Sequence, residues 1–291
     1  MSLKLMYITN RPEIAAIAEQ YGVDRIFVDM EYIGKADRQK GNDSFINYHT
    51  LEDVKTIRAA VKKAGFLVRI NPIHDPLEEY PGSEEEIEAV IEAGADIVML
   101  PYFKTLGEVK RFLKAVNGRK RTSLLLETKE AADILDDILR IDEIDEIHIG
   151  LNDLSMSMGK TFLFEVLTDG TVEKLCRKMN AAGMVYGFGG VACPGHGIVP
   201  AEMIVREHYR LGSSMVILSR AFCNIKTTGN DLQSVREIFE QGVPKIRALE
   251  KECEDHLKKE GNEHNRYFEQ NRKELAEAVC SAVKAVKILG V

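Results

Sequence analysis

The feature that most constrains this chain is a repeated local pattern: a helix-like stretch, a glycine near its end, then a short apolar run. It recurs as YGVDRIFVDM (21–30), KKAGFLVRIN (62–71), AGADIVMLPY (93–102), AAGMVYGFGG (181–190) and LGSSMVILSR (211–220). Glycine fits the left-handed position that closes a helix, and an apolar run of about four to six residues suits a parallel strand buried on both faces. KLMYIT near the start, SLLLET at 123–128 and EIHIG at 146–150 complete a set of eight runs. Between them lie TLEDVKTIRAAVKKAG, SEEEIEAVIEAG and TLGEVKRFLKAV, which open on Thr or Ser with Glu close behind, as helix N-termini favour. Eight strand-helix units in about 225 residues predict an α/β fold, a (β/α)8 TIM barrel, over a doubly wound sheet, because no Gly-rich dinucleotide fingerprint follows the first run.

After Phe222 the pattern changes. Residues 231–291 read as long charged helices with apolar positions at helical spacing, so one face must be covered by the barrel or by another subunit. Without a low-complexity linker, 1–291 is read as a single barrel domain and 231–291 as its C-terminal helical extension, used in homo-oligomer packing. Net charge is −7 and pI about 5.6, which leaves no basic footprint for nucleic acid or an anionic membrane. A small-molecule partner is expected. No signal-like segment and no run of about 18 apolar residues is present, so a cytoplasmic location is expected. Cys176, Cys193, Cys223, Cys253 and Cys280 lack Cys-x-x-Cys spacing and are expected to be buried, reduced thiols.

In such a barrel chemistry collects at the C-terminal ends of the strands. The second run ends in Asp29 and Glu31, the third in Arg69 and Asn71, the fifth in Glu127, the sixth in Gly150, Asn152 and Asp153, the seventh in Gly187, Gly189 and Gly190, and the eighth in Ser219 and Arg220. Strand alternation gives Phe27, Asp29 and Glu31 one direction, as it does Leu67 with Arg69 and Leu125 with Glu127. Charges above a buried barrel must pair or hold a cation, since desolvating a lone charge costs several kcal/mol. Glu127 and Asp153, from adjacent strands, suit a hard divalent ion with oxygen ligands at about 2.1 Å; helix capping or an ion pair is the structural alternative. His148 differs in parity from Ile147 and Ile149 and is expected to be a satisfied core or interface histidine. GFGG and CPGHG (187–197) are expected to pack as tight turns, although loops after strands seven and eight often hold phosphate. Lys35, Arg38 and Lys40, in the long polar loop after the second run, read as a solvated face.

The segments FVDMEYIGK, LVRIN, GADIVMLPYFKT, LLLETKEA, IHIGLNDLSMSMG and ILSRAF, in this order, resemble the HpcH/HpaI aldolase and citrate lyase beta-subunit superfamily over roughly residues 25–222. E-T-K-E-A and G-x-x-D-L-S-x-x-M-G are the most specific parts. The resemblance implies that Glu127 and Asp153 bind a divalent metal, Mg2+ or Mn2+, which chelates a pyruvate-like 2-oxo acid. It places Arg69 beside the keto oxygen, where its charge stabilises an enolate, with Glu31 orienting it. Backbone N–H groups of Gly150, Leu151 and Asn152 would receive the substrate carboxylate; by its placement after the second run, the loop carrying Arg38 would be the part to meet an anionic aldehyde. The aldolase branch carries a histidine after its second-strand glutamate, whereas Tyr32 follows Glu31 here. Tyr32, His74, a metal-bound water or a residue of another subunit is then the general base.

The function this implies is a class II, metal-dependent carbon-carbon lyase of the 2-oxo-acid aldolase type, with a 2-oxo acid and an aldehyde as partners. The alternatives are a citrate-lyase-like lyase acting on an acyl thioester and a non-catalytic metabolite-binding member. A Schiff-base aldolase is disfavoured, because Lys104 and Lys129 fall just beyond strand ends.

Overall fold

The apolar runs form parallel strands arranged as a nearly closed barrel in this computed structural model, which describes residues 2–35, 48–78, 80–228, 231–259 and 262–289. Among them are nine strands: β1 (Lys4–Ile8), β2 (Arg25–Asp29), β3 (Gly65–Arg69), β4 (Ile97–Leu100), β5 (Arg121–Leu126), β6 (Glu146–Ile149), β7 (Val185–Phe188), β8 (Gly190–Val191) and β9 (Met215–Leu218). The sheet order is β7-β6-β5-β4-β3-β2-β1-β9-β8. Nine strands make eight staves, because the seventh run breaks at Gly189. Its first half pairs with β6 and its second half with β9. The wall is drawn together where Ser214 N–H donates to Tyr186 O at 2.8 Å.

Strand alternation sorts the apolar residues into two shells. Met6, Phe27, Leu67, Ile97, Met99, Leu125 and Met215 fill the barrel interior. Their neighbours, such as Val28, Val68, Val98 and Leu124, face outward onto Ile14, Val54, Ile87 and Val109 of the surrounding helices. The expected capping chemistry is present at Thr50, whose Oγ1 accepts from Asp53 N while Asp53 accepts from Thr50 N, and at Thr105 with Glu108. The serine of SEEEIEAVIEAG differs: Gly82 is the cap of helix Ser83–Glu92, and the Ser83 hydroxyl instead accepts from His74 N at 2.8 Å.

The charged C-terminal stretch forms helices Leu232–Leu257 and Asn262–Leu289. The first buries Val235, Phe239, Val243, Ile246 and Cys253 on its own barrel, with Phe239 edge-on to Tyr7 at 4.9 Å. Arg247 ties it to the barrel floor through Asp24 at 2.8 Å and Leu3 O at 2.8 Å. The second packs on helix Ala201–Arg210, where Asn271 donates to Met203 O and Arg206 to the Tyr267 hydroxyl. Of the five thiols, Cys176, Cys223 and Cys253 are buried, Cys193 is half-buried and Cys280 is exposed, so full burial holds for three. No helix among the described residues is long and apolar enough to cross a membrane.

Candidate active site

The two ends of the barrel are built differently. At the N-terminal end Arg25 of β2 reaches the opposite wall and grips Glu146 of β6 through two bonds of 2.6 and 2.8 Å, both side chains buried. A groove of about 1030 Å³ also opens at this end, lined by Lys110, Arg119, Arg121, Asp142 and Asp145 among others. The residues expected to carry chemistry stand at the opposite, C-terminal end.

There β2 and β3 lie in register, Asp29 beside Arg69. Asp29, fully buried, accepts from Arg69 Nε at 2.7 Å and from Nη2 at 2.6 Å. Asp29, rather than the expected Glu31, therefore makes the two-pronged contact that orients Arg69. Glu31 is also buried but stands 3.4 Å from Arg69 Nη1. Arg69 lies over the Phe27 ring. Burial opposes its charge, but Asp29 and Glu31 outweigh burial and hold the guanidinium above its ordinary pKa. Lys35, expected to be solvated, is buried instead: its Nζ bonds Asp29 Oδ2 at 2.9 Å and lies 3.2 Å from Glu31 Oε2. Arg38 and Lys40 lie outside the described residues.

Glu127 ends the fifth stave, 3 % exposed. Its Oε1 accepts from Tyr102 N at 3.1 Å, a donor presented by a left-handed backbone at Tyr102 (φ 48°). Its Oε2 occupies the space above Gly150, where a Cβ would meet it at 2.7 Å. Gly150 is thus a cradle for the carboxylate. Arg69 feels the charge of Glu127 as well. Helix Leu151–Ser157 starts directly after Gly150 and carries the half-buried Asp153 in its first turn. Asn152 is exposed; the Leu151 side chain is buried beneath Gly189, leaving its backbone for any ligand. Two oxygen-donor carboxylates on adjacent staves, one seated in a space only glycine leaves open, fit a hard divalent cation that takes its other ligands from substrate and water. No group of three or more His, Cys, Asp or Glu side chains is placed to hold a metal among the described residues.

The candidate bases are constrained. Tyr32 is half-buried between Tyr48 and Tyr80, with ring centroids 5.9 and 6.2 Å away. Burial, then the charge of Asp29, raises its pKa and keeps the phenol neutral. Both ring nitrogens of His74 face carbonyl oxygens, of Pro72 at 2.7 Å and Pro81 at 2.8 Å, so it staples its loop. His49, which no sequence pattern singles out, receives the Asp29 N–H on Nδ1 at 3.0 Å. The neutral ring then carries its proton on Nε2. Burial lowers its pKa against the pull of Asp29. Asn71, expected at the mouth as the polar end of the third run, shapes the loop after β2. Its Oδ1 accepts from Tyr32 N and Ile33 N, while Glu86 fixes the amide from below.

His148 points into the barrel. One nitrogen meets Gly189 O at 3.1 Å and Nδ1 has no hydrogen-bond partner, so it is a core histidine only half satisfied. The GFGG turn packs tightly as expected, with Gly189 at φ 53° against Leu151. In CPGHG the Gly195 N–H is bonded to the Glu202 carboxylate at 2.8 Å, the place a phosphate oxygen would need.

A parallel barrel that sets Asp29, Glu31, Arg69 and Glu127 together at its C-terminal mouth is built as a barrel enzyme. The chain belongs to the HpcH/HpaI aldolase/citrate lyase family, a family of lyases, whose model matches residues 4–176. Its fold is similar to that of an HpcH/HpaI aldolase/citrate lyase family protein from Burkholderia cenocepacia J2315 (TM-score 0.57, 15 % identity, 81 % of this chain and 95 % of that one). It is also similar to the citrate lyase beta subunit from M. tuberculosis complexed with oxaloacetate and magnesium (TM-score 0.53, 16 % identity, 82 % and 97 %). A tryptophan synthase from M. tuberculosis is as similar in fold (TM-score 0.57, 14 % identity, 84 % and 94 %). At such identities the likeness speaks for the barrel alone. No curated protein matches the sequence.

Proposed function

We propose that this chain is a metal-dependent carbon-carbon lyase of the 2-oxo-acid aldolase type, working through the enolate of pyruvate or a close relative. The carrying observation is Arg69, clamped by Asp29 within electrostatic reach of Glu127, which sits in the Gly150 cradle. Glu127 and Asp153 would hold Mg2+ or Mn2+, which when bound withdraws electrons from the keto group. Arg69 faces the oxygen on which negative charge develops, and a guanidinium held in advance loses no reorganisation energy as it does so. Backbone N–H groups of Gly150, Leu151 and Asn152 receive the substrate carboxylate. Tyr32 is held as a neutral phenol, both ring nitrogens of His74 are engaged by carbonyl oxygens and Nδ1 of His49 by the Asp29 N–H, so none of these three described residues suits taking the methyl proton, and solvent or a residue of a second subunit of a homo-oligomer would take it.

The test is exchange of the methyl protons of pyruvate in deuterated water, followed by NMR. Exchange should depend on divalent metal, stop with EDTA and return on adding Mg2+ or Mn2+. Exchange untouched by chelation would overturn the metal-dependent reading. Cleavage of acyl thioesters with no turnover of free 2-oxo acids would place the chain with the citrate-lyase branch.

A further inference from the structure

Regular pairing of β2 with β3 ends at Asp29 and Arg69, yet the chain beyond β2 is still held to β3. Met30 N donates to Arg69 O at 2.9 Å, and Asn71 then takes over. Its Oδ1 accepts from Tyr32 N at 2.8 Å and from Ile33 N at 3.0 Å, and Lys35 N closes the turn on Tyr32 O at 3.1 Å. This turn delivers Glu31 and Lys35 to the Arg69–Asp29 pair. The Asn71 oxygen can face the turn only while the amide nitrogen faces away, and Glu86, on helix Ser83–Glu92 outside the barrel, fixes that choice. Glu86 Oε1 accepts from Asn71 Nδ2 at 2.9 Å and from Asn71 N at 3.1 Å. Both side chains are buried, and Asn71 Nδ2 has no other acceptor among the described residues.

We propose that Glu86 is a positioning residue for the active site: by fixing the Asn71 amide, it holds the turn that sets Glu31 and Lys35 beside Arg69 and Asp29. Its bearing on catalysis rests on the lyase reading above. With an apolar side chain at position 86, two buried donors of Asn71 lose their acceptor, and the amide rotates toward another. Rotation sets N–H against N–H at Tyr32, and the turn opens. Glu127, Gly150 and Asp153 stand outside this turn, so metal affinity is kept. The loss falls on the charges arranged around Arg69, which matter most as charge develops on substrate, and so on turnover more than on ground-state binding.

The experiment compares wild type, Glu86→Met, Glu86→Gln and the exchanged pair Asn71→Asp/Glu86→Gln in metal-dependent pyruvate proton exchange, with Mn2+ titrations and crystal structures of each. Glu86→Met should displace residues 31–35 and lower kcat about tenfold, with KM for pyruvate and Mn2+ affinity little changed. Glu86→Gln, whose amide oxygen can take both Asn71 donors, should keep most of the rate. So should the exchanged pair, in which the carboxylate at position 71 accepts from the turn, the amide at position 86 donates to that carboxylate, and the total charge is unchanged. In any variant, a turn displaced with kcat intact or a turn in place with kcat lost overturns the proposal. Glu86→Met with its turn in place overturns it too, as does a loss of Mn2+ affinity equal to the loss of kcat, the mark of general loosening. Should Glu86→Met not fold, Asn71→Ser, which draws the acceptor back from Tyr32 N and leaves the helix untouched, takes its place under the same criteria. If wild type shows no exchange, the lyase reading fails. The crystals then decide alone: Glu31 and Lys35 displaced from Arg69 and Asp29 in Glu86→Met support the positioning role, and a turn unmoved refutes it.

Discussion

Gly150 shows most directly how a single residue can set the chemistry of the mouth. Its backbone is ordinary, φ −81°, so a Gly150→Ala variant meets no conformational penalty. Its methyl would instead stand 2.7 Å from Glu127 Oε2 and 2.9 Å from Glu127 Cβ, and the carboxylate would have to leave its seat. Gly150→Ala should therefore melt within a few degrees of wild type yet bind Mn2+ at least about tenfold more weakly, as losing one of two carboxylate ligands demands. Isothermal titration with Mn2+ checks this, and unchanged affinity would remove Glu127 from the metal site. Arg69 and Glu127 are legible in the sequence because each stands at the end of an apolar run, where a charge has few structural excuses, and Asp153 because it follows such a run closely, in the first turn of the next helix. Lys35 and His49 are not. Lys35 is embedded in a polar stretch whose burial no local pattern reveals, and His49 reaches Asp29 from 20 positions downstream.

At the scale of elements, the strands are legible because parallel strands covered on both faces leave unbroken apolar runs, and helices that return to them end at glycine. The division of the seventh stave is not, since GFGG reads as a turn wherever it falls. The break joins the two edges of the sheet. Gly187 lies where β7 passes β9, and a Cβ there would stand 2.2 Å from both Met215 Cγ and Met215 O. The oxygen is backbone and cannot rotate away. Gly187→Ala should thus force the strands apart at a cost of about 3 kcal/mol, the upper part of the usual overpacking range. Trimming the side chain in Gly187→Ala/Met215→Ala should not restore stability. Urea unfolding of the three variants, Met215→Ala included, measures it; full rescue by the double change would show that the closure is set by side-chain volume alone.

For the molecule as a whole, the barrel interior is stratified by charge. Arg25 and Glu146 close the floor, Phe27, Leu67, Met99 and Leu125 fill the middle, and Asp29, Arg69 and Glu127 occupy the mouth. His148 sits in the apolar middle between two guanidinium groups. Burial foremost, then Arg25 and Arg69, bring its pKa down to about 4 despite the bond to Gly189 O. Burial also depresses His208, stacked on Phe188 outside β7, so both histidines favour the neutral form. The consequence for stability has a definite sign. Unfolded histidine takes up a proton near pH 6.5, so between pH 6.5 and about 4 the unfolded chain binds protons that the native chain refuses. Stability from neutral His148 is complete above pH 6.5 and is lost as pH falls toward 4, by roughly 3 kcal/mol for a shift of this size. Carboxylates titrate in the same window, and a variant separates the two effects. His148→Gln can still donate to Gly189 O and cannot ionise, so its unfolding free energy should fall less than that of wild type between pH 7 and pH 4.5. Parallel pH profiles for the two proteins would mean that His148 is already open to protons in the folded barrel.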